Sequence, residues 1–203
     1  MSHIYADNSQ LYLYCHPDQI QQLQIVTIEC IMDIDSWMKS NRLRLKPAKT
    51  EFLWLATSHR LHYFNDSPFI LGNTIIKPTT IARNLKVMMN QDFSMRSHIN
   101  KLVQSCFCSL RQIRSIRRSL TFDAARKLIC SLIRSRVDYC NSLFAELPAQ
   151  SIDHLQSILN TSAHLACGLH KYDHIKQALH DRLHWLPMQQ QITYTLGFRL
   201  VFP

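Results

Sequence analysis

Apolar residues change their spacing twice along this chain of 203 residues, and those changes divide it. Near the start, Leu11-Tyr12-Leu13-Tyr14-Cys15 is rich in β-formers and follows the polar residues Asp7-Asn8-Ser9, a pattern that predicts a hairpin with its tip at Asp7-Asn8. From Asp18 to Asn41, Ile20, Leu23, Ile28, Ile31, Ile34 and Met38 recur at helical spacing with Trp37 beside them, which predicts an amphipathic helix. Leu43 and Leu45 then alternate with Arg42 and Arg44, and Thr50 to Leu55 resumes an extended pattern after Pro47, so two strands around a Lys46-Pro47-Ala48-Lys49 turn are expected. Short apolar runs between Phe69 and Met89, punctuated by Gly72-Asn73 and Lys77-Pro78, predict further small strands.

Beyond Met95 the period is helical throughout. Ile99, Leu102, Val103, Cys106, Leu110, Ile113 and Ile116 mark one helix, Phe122 to Val137 a second, and Ile152, Leu155, Ile158 and Leu159 a third. Helical stretches also flank the corner Leu183-His184-Trp185-Leu186-Pro187. The expected class is α+β, with short antiparallel strands and one amphipathic helix first and helices only thereafter.

Composition narrows the function classes. With 46% hydrophobic residues the chain can bury a core. Its three glycines form neither a G-x-G-x-x-G nor a Walker sequence, which disfavours the usual nucleotide-cradling loops. Seven cysteines without a C-x-x-C pair suit reduced packing thiols, and no apolar run is long enough to span a bilayer. An intracellular chain, cytoplasmic or nuclear and without membrane partners, is expected.

The net charge of +9 is concentrated: residues 94–140 hold ten Lys or Arg against two Asp, leaving +8. Arg111, Arg114, Arg117 and Arg118 fall at helical steps beside the apolar Leu110, Ile113 and Ile116, and Arg126, Lys127, Arg134 and Arg136 continue the series on the next helix. Such a stripe can follow a row of phosphates; a solvated helix face is the other reading. Six of the 11 histidines lie between His154 and His184. His170 with His174, and His180 with His184, are spaced i, i+4, which on helices near Cys167 could hold zinc, but no established ligand spacing is complete, and packing or surface roles are the other reading.

Several local sequences, in order, resemble the reverse transcriptases of LINE-type (non-LTR) retrotransposons, particularly the jockey-like and chicken-repeat-like groups. The family's Tyr-Ala-Asp-Asp-Thr-Gln-Leu-Tyr loop is matched by Tyr5-Ala6-Asp7-Asn8-Ser9-Gln10-Leu11-Tyr12. The following Trp-Met and Asn-x-Leu-x-Leu-Asn-x-x-Lys-Thr-Glu are matched by Trp37-Met38 and by Asn41 through Glu51. An Arg-Asn-Leu-Gly-Val segment is matched by Arg83-Asn84-Leu85-Lys86-Val87, and later words by Val137-Asp138-Tyr139-Cys140-Asn141-Ser142-Leu143, His174-Ile175 and Leu183 to Pro187.

The resemblance implies a distal polymerase palm over 1–92, a basic helical thumb over 93–147 and a helical extension over 148–203, with the fingers and upstream palm outside this chain. It implies two-metal nucleotidyl transfer with Mg²⁺ or Mn²⁺, an RNA template and DNA primer or an RNA–DNA duplex as partners, and Asp7 as a metal and catalytic carboxylate. Asn8 stands where the family has its second aspartate and offers a neutral oxygen beside a dication, so little or no catalysis is expected here. By the same resemblance Lys49 is a candidate general acid, Arg83 and Lys86 are candidate primer contacts with Lys86 at the usual glycine, and the arginine stripe is the duplex grip. The alternatives are a non-catalytic RNA or RNA–DNA-binding remnant and a decayed product without a stable fold.

Overall fold

The computed structural model describes all residues except 1, 6–7, 65–67, 72–73, 171–172 and 202–203. The chain forms two compact units, one of residues 1–83 with 90–93 and one of residues 84–89 with 94–203. No helix among the described residues is long and apolar enough to cross a membrane.

In the first unit, β1 (Ser2–Tyr5) and β2 (Asn8–Leu11) pair antiparallel, with Tyr5 opposite Asn8. The β-rich run from Tyr12 to Cys15 is irregular, and Tyr14 is 97% exposed. The predicted helix is present as α1 (Ile20–Ser40) after a 3-10 turn at Pro17–Gln19. Its half-buried face carries the expected stripe, but Thr27 is its only buried residue, while Ile25, Val26, Met32 and Trp37 are exposed.

The strand expected at 42–45 does not form. Arg42 adopts φ 57, its N–H bonds the Lys39 carbonyl at 3.1 Å, and the Leu43 N–H bonds the Met38 carbonyl at 2.8 Å. That pair of bonds is the left-handed helix stop usually made with glycine, so Leu43 belongs to the end of α1. A 3-10 turn follows at Pro47–Lys49, and only Phe52–Leu53 (β3) of the next expected strand is extended.

The remaining strands are β4 (Phe69–Leu71), β5 (Thr74–Ile76), β6 (Pro78–Thr79), β7 (Ile81–Asn84) and β8 (Val87–Asn90). They pair as β4 with β5, β3 in parallel with β6, and β7 with β8, each a separate two-stranded sheet. Trp54, just after β3, makes an edge contact with Phe52 and stacks on Phe64, both at 4.8 Å. Among the described residues of this unit, Ile76 and Thr27 alone are buried, which is very little apolar burial for isolated ribbons.

The second unit holds the core. Its helices are α2 (Arg96–Ile116), α3 (Phe122–Ile129), a π turn at Cys130–Arg134 running into α4 (Ser135–Asp138), α5 (Ala149–Cys167), α6 (Ile175–Gln177) with a π turn at Ala178–Arg182, and α7 (Met188–Val201). The predicted positions Ile99, Leu102, Cys106, Leu110 and Ile113 of α2 meet Ile129, Ile133 and Val137, and Leu155, Ile158 and Leu159 of α5, in one cluster that also takes in Met188 and Ile192. Residues 94–147 and 148–203 thus share a single core. Thr121 caps α3 by accepting the Ala124 N–H at 3.3 Å, and Gly168 ends α5 at φ 66, a conformation a side chain would strain. The 183–187 corner is non-helical as expected: Leu183 and Trp185 point into the core while His184 and Leu186 are exposed.

Candidate nucleic-acid interface

Asp7, the predicted metal and catalytic carboxylate, lies outside the described residues. Asn8 opens β2, and the eight strand residues of the β1–β2 hairpin include no Asp or Glu. Among the described residues, no three His, Cys, Asp or Glu side chains converge on a possible metal position. Two Mg²⁺ ions need several carboxylate oxygens between them, and Asn8 offers a neutral oxygen at its position. Lys49 closes the 3-10 turn on the surface with its N–H bonded to the Lys46 carbonyl at 2.9 Å, and its side chain makes no hydrogen bond or ion pair among the described residues.

The segment Arg83-Asn84-Leu85-Lys86-Val87 is the tight connection of β7 to β8. Leu85 at φ 44 and Lys86 at φ 71 are both left-handed, as a two-residue hairpin turn of this hand requires. Lys86 therefore occupies a position where glycine is favoured for backbone reasons. The tip is held within the helical unit: the Tyr139 hydroxyl donates to the Leu85 carbonyl at 2.8 Å, the Met88 N–H donates to His98 Nδ1 at 3.4 Å, and Val87 is buried. Arg83 and Lys86 are exposed, and the Arg83 backbone N–H donates to Glu51 Oε2 at 3.1 Å.

Burial on α2 follows from its apolar stripe, and that face fixes where the cations go. Arg111 and Arg114 lie off the buried face of Ile99, Leu102, Cys106, Leu110 and Ile113, and both are exposed. Arg118, in the 3-10 turn after α2, and Lys127 and Arg136, on α3 and α4, are exposed as well. The side chains of these five make no hydrogen bond or ion pair among the described residues, and those of Arg96 and Lys101 share that state.

Three members of the predicted stripe have internal partners. Arg117 donates to the carbonyls of Leu165, Leu120 and Ala166 at 2.7, 2.9 and 2.9 Å. Arg126 faces Asp123 at 3.8 Å. Arg134 lies 5.0 Å over the Trp185 ring and 3.6 Å from Asp138, whose carboxyl pKa is raised by burial against the opposing pull of Arg134. Helical spacing alone could pair Arg126 with Asp123 and Arg134 with Asp138, but not Arg117 with the α5 carbonyls or Arg134 with Trp185.

The histidine pairs do not share helix faces. His170 precedes α6 outside any helix, its N–H bonded to Asp173 Oδ2 at 2.7 Å, and His174 is the residue before α6. His180 sits in the π turn with Nδ1 2.7 Å from Asp181, and His184 lies past its end at φ 54. Cys167 contributes no ligand geometry; burial raises its thiol pKa despite Arg182 and Arg117 nearby. All seven cysteines are free.

Sequence reasoning missed one exposed feature, the stacked pair Tyr194 and Phe198 on α7. Their i, i+4 spacing after Pro187 was the available signal. Comparison with protein-family models, curated proteins and solved structures gives no match to this chain.

Proposed function

We propose that this chain is a distal part of a LINE-type reverse transcriptase, and that it acts by itself as a non-catalytic grip on an RNA–DNA duplex or on RNA. The supporting observation is the set of five exposed, internally unpaired cations, Arg111, Arg114, Arg118, Lys127 and Arg136, on the α2, α3 and α4 segments. A duplex offers a regular row of phosphates, and cations without protein partners can meet them without first breaking an ion pair. The ordered motif words from Tyr5 to Pro187 support the lineage. In this reading the residues 84–89 hairpin tip and its Lys86 lie on the same compact unit as the grip.

Nucleotidyl transfer is not proposed for this chain, because Asn8 stands where the family has its second aspartate and supplies no charge to a dication. Binding of a labelled RNA–DNA hybrid, measured across a salt series, tests the grip. Primer extension with Mg²⁺ or Mn²⁺ tests the non-catalytic part; extension that is abolished by Asp7→Ala would overturn it.

A further inference from the structure

We propose that Ser115 is a phosphorylation site at which the modified side chain occupies Arg111 and Arg118 and so releases nucleic acid from α2. The inference deepens the nucleic-acid reading above and rests on it for what is released. The residue, its modification and the pairing follow from local structure.

Ser115 is exposed and precedes the last residue of α2, clear of the buried stripe that ends at Ile113. Its hydroxyl donates to the Gln112 carbonyl at 2.8 Å, a bond within its own turn that an exposed hydroxyl gives up at little cost. Arg111 lies four residues before it, and Arg118 lies three after it in the 3-10 turn that continues α2. Residues at those steps are neighbours on the surface, with Cβ atoms about 5–6 Å apart, well within reach of a guanidinium. Both arginines are exposed, and their side chains have no partner among the described residues, so a phosphate on Ser115 meets them without first breaking an ion pair.

Nearby exposed serines lack that arrangement. Ser119 has Asp123 four residues on, Ser135 has Asp138 three residues on, and the arginine three residues after Ser131 is Arg134, already held by Trp185 and Asp138.

The surroundings also set the class of enzyme. Residues 94–122 hold no Asp or Glu, and Arg111, Arg114, Arg117 and Arg118 flank Ser115, so a protein kinase with an acidic peptide groove fits by charge. ATP is the co-substrate: the Ser115 Oγ attacks the γ-phosphorus, the bond to the β–γ bridging oxygen breaks, ADP leaves, and the hydroxyl proton passes to the base of the kinase. The last turn of a helix opens before its centre, which gives the kinase access. The negative end of the α2 dipole repels the new phosphate, so the two guanidinium forks are what hold it in place. Phosphoserine thus sets a charge of roughly −2 and three acceptor oxygens beside the arginines that would otherwise meet a nucleic-acid phosphate.

The test uses the full chain with a kinase of basic-sequence preference and ATP, and reads three quantities. Mass mapping should find phosphate on Ser115, and Ser115→Ala should lose it; absence of phosphate at Ser115 would overturn the site. By ³¹P NMR, the second ionisation of the phosphoserine should lie below its ordinary pKa of about 6 and return to it in Arg111→Ala/Arg118→Ala. The same value with and without the two arginines would overturn the pairing. On an RNA–DNA hybrid, the phosphorylated chain should bind about tenfold more weakly or worse, with a salt slope smaller in magnitude by about 2, while unmodified Ser115→Ala binds like the parent. Equal hybrid affinity before and after phosphorylation would overturn the switch. Failure of the unmodified parent to bind the hybrid would instead sink the grip, with the NMR titration still deciding whether the arginines hold the phosphate.

Discussion

Arg117 donates its Nε–H to the carbonyl oxygen of Leu165 at 2.7 Å, from a turn 48 residues earlier in the chain. With its other two bonds, to Ala166 and Leu120, one guanidinium satisfies carbonyls at the end of α5 and ties that helix to the α2–α3 connection. A cation at a helix C-terminus also opposes the helix dipole.

Arg117→Ala is therefore expected to destabilise the helical unit by about 2 kcal/mol, lowering Tm by roughly 5 °C. Arg117→Lys should recover little, because an ammonium cannot reproduce the planar fork. Thermal melting checks both; a Tm within a degree of the parent would remove the capping role.

Lys86→Gly should stabilise the β7–β8 tip by about 1 kcal/mol, since glycine adopts φ 71 without the penalty paid by a side chain. Urea unfolding reads it directly. A lower midpoint would show that the Lys86 side chain contributes more than its backbone strain costs.

His98 links stability to pH. Burial lowers its pKa below the ordinary 6.5, and its Nδ1 must be unprotonated to accept the Met88 N–H. The unfolded chain then binds the proton more readily, so this contribution is complete above about pH 6.5 and is lost as pH falls through the lower folded pKa. Tm should drop between pH 7.5 and 5.5, and His98→Gln should reduce that drop. An equal drop in the variant would exclude His98 as a source.

The uneven burial of the two units predicts uneven resistance. Limited proteolysis should cut first within residues 1–83, where Ile76 and Thr27 are the buried side chains among those described, and leave a stable product containing α2 to α7. Initial cleavage inside α2 or α5 would contradict that ordering.

The helices were legible because their apolar periods are long: the α1 stripe, the α2 positions Ile99 to Ile113 and the α5 set all lie where the spacing put them. The strands were less so. Arg42 accepts a left-handed helix stop without glycine, which turns an apparent alternation at Leu43 and Leu45 into a cap and a loop. At the site, sequence spacing assembled the eight basic residues of 111–136, but the partners that occupy Arg117 and Arg134 include Leu165, Ala166 and Trp185, which are distant in sequence. Tyr194 and Phe198 were overlooked because a helical aromatic pair ordinarily signals core packing, and only the buried Met188 and Ile192 show that this pair faces outward.

The central claim is that exposed, unpaired cations of α2 and its following turn hold a nucleic-acid backbone. Hybrid affinity of the full chain and of Arg111→Ala/Arg114→Ala/Arg118→Ala, measured from about 50 to 200 mM salt, tests it most directly. The variant should bind more weakly, with the slope of log affinity against log salt reduced in magnitude by about 3, roughly one for each phosphate that the three arginines neutralise. Equal affinity and an equal slope in the two proteins would contradict the account.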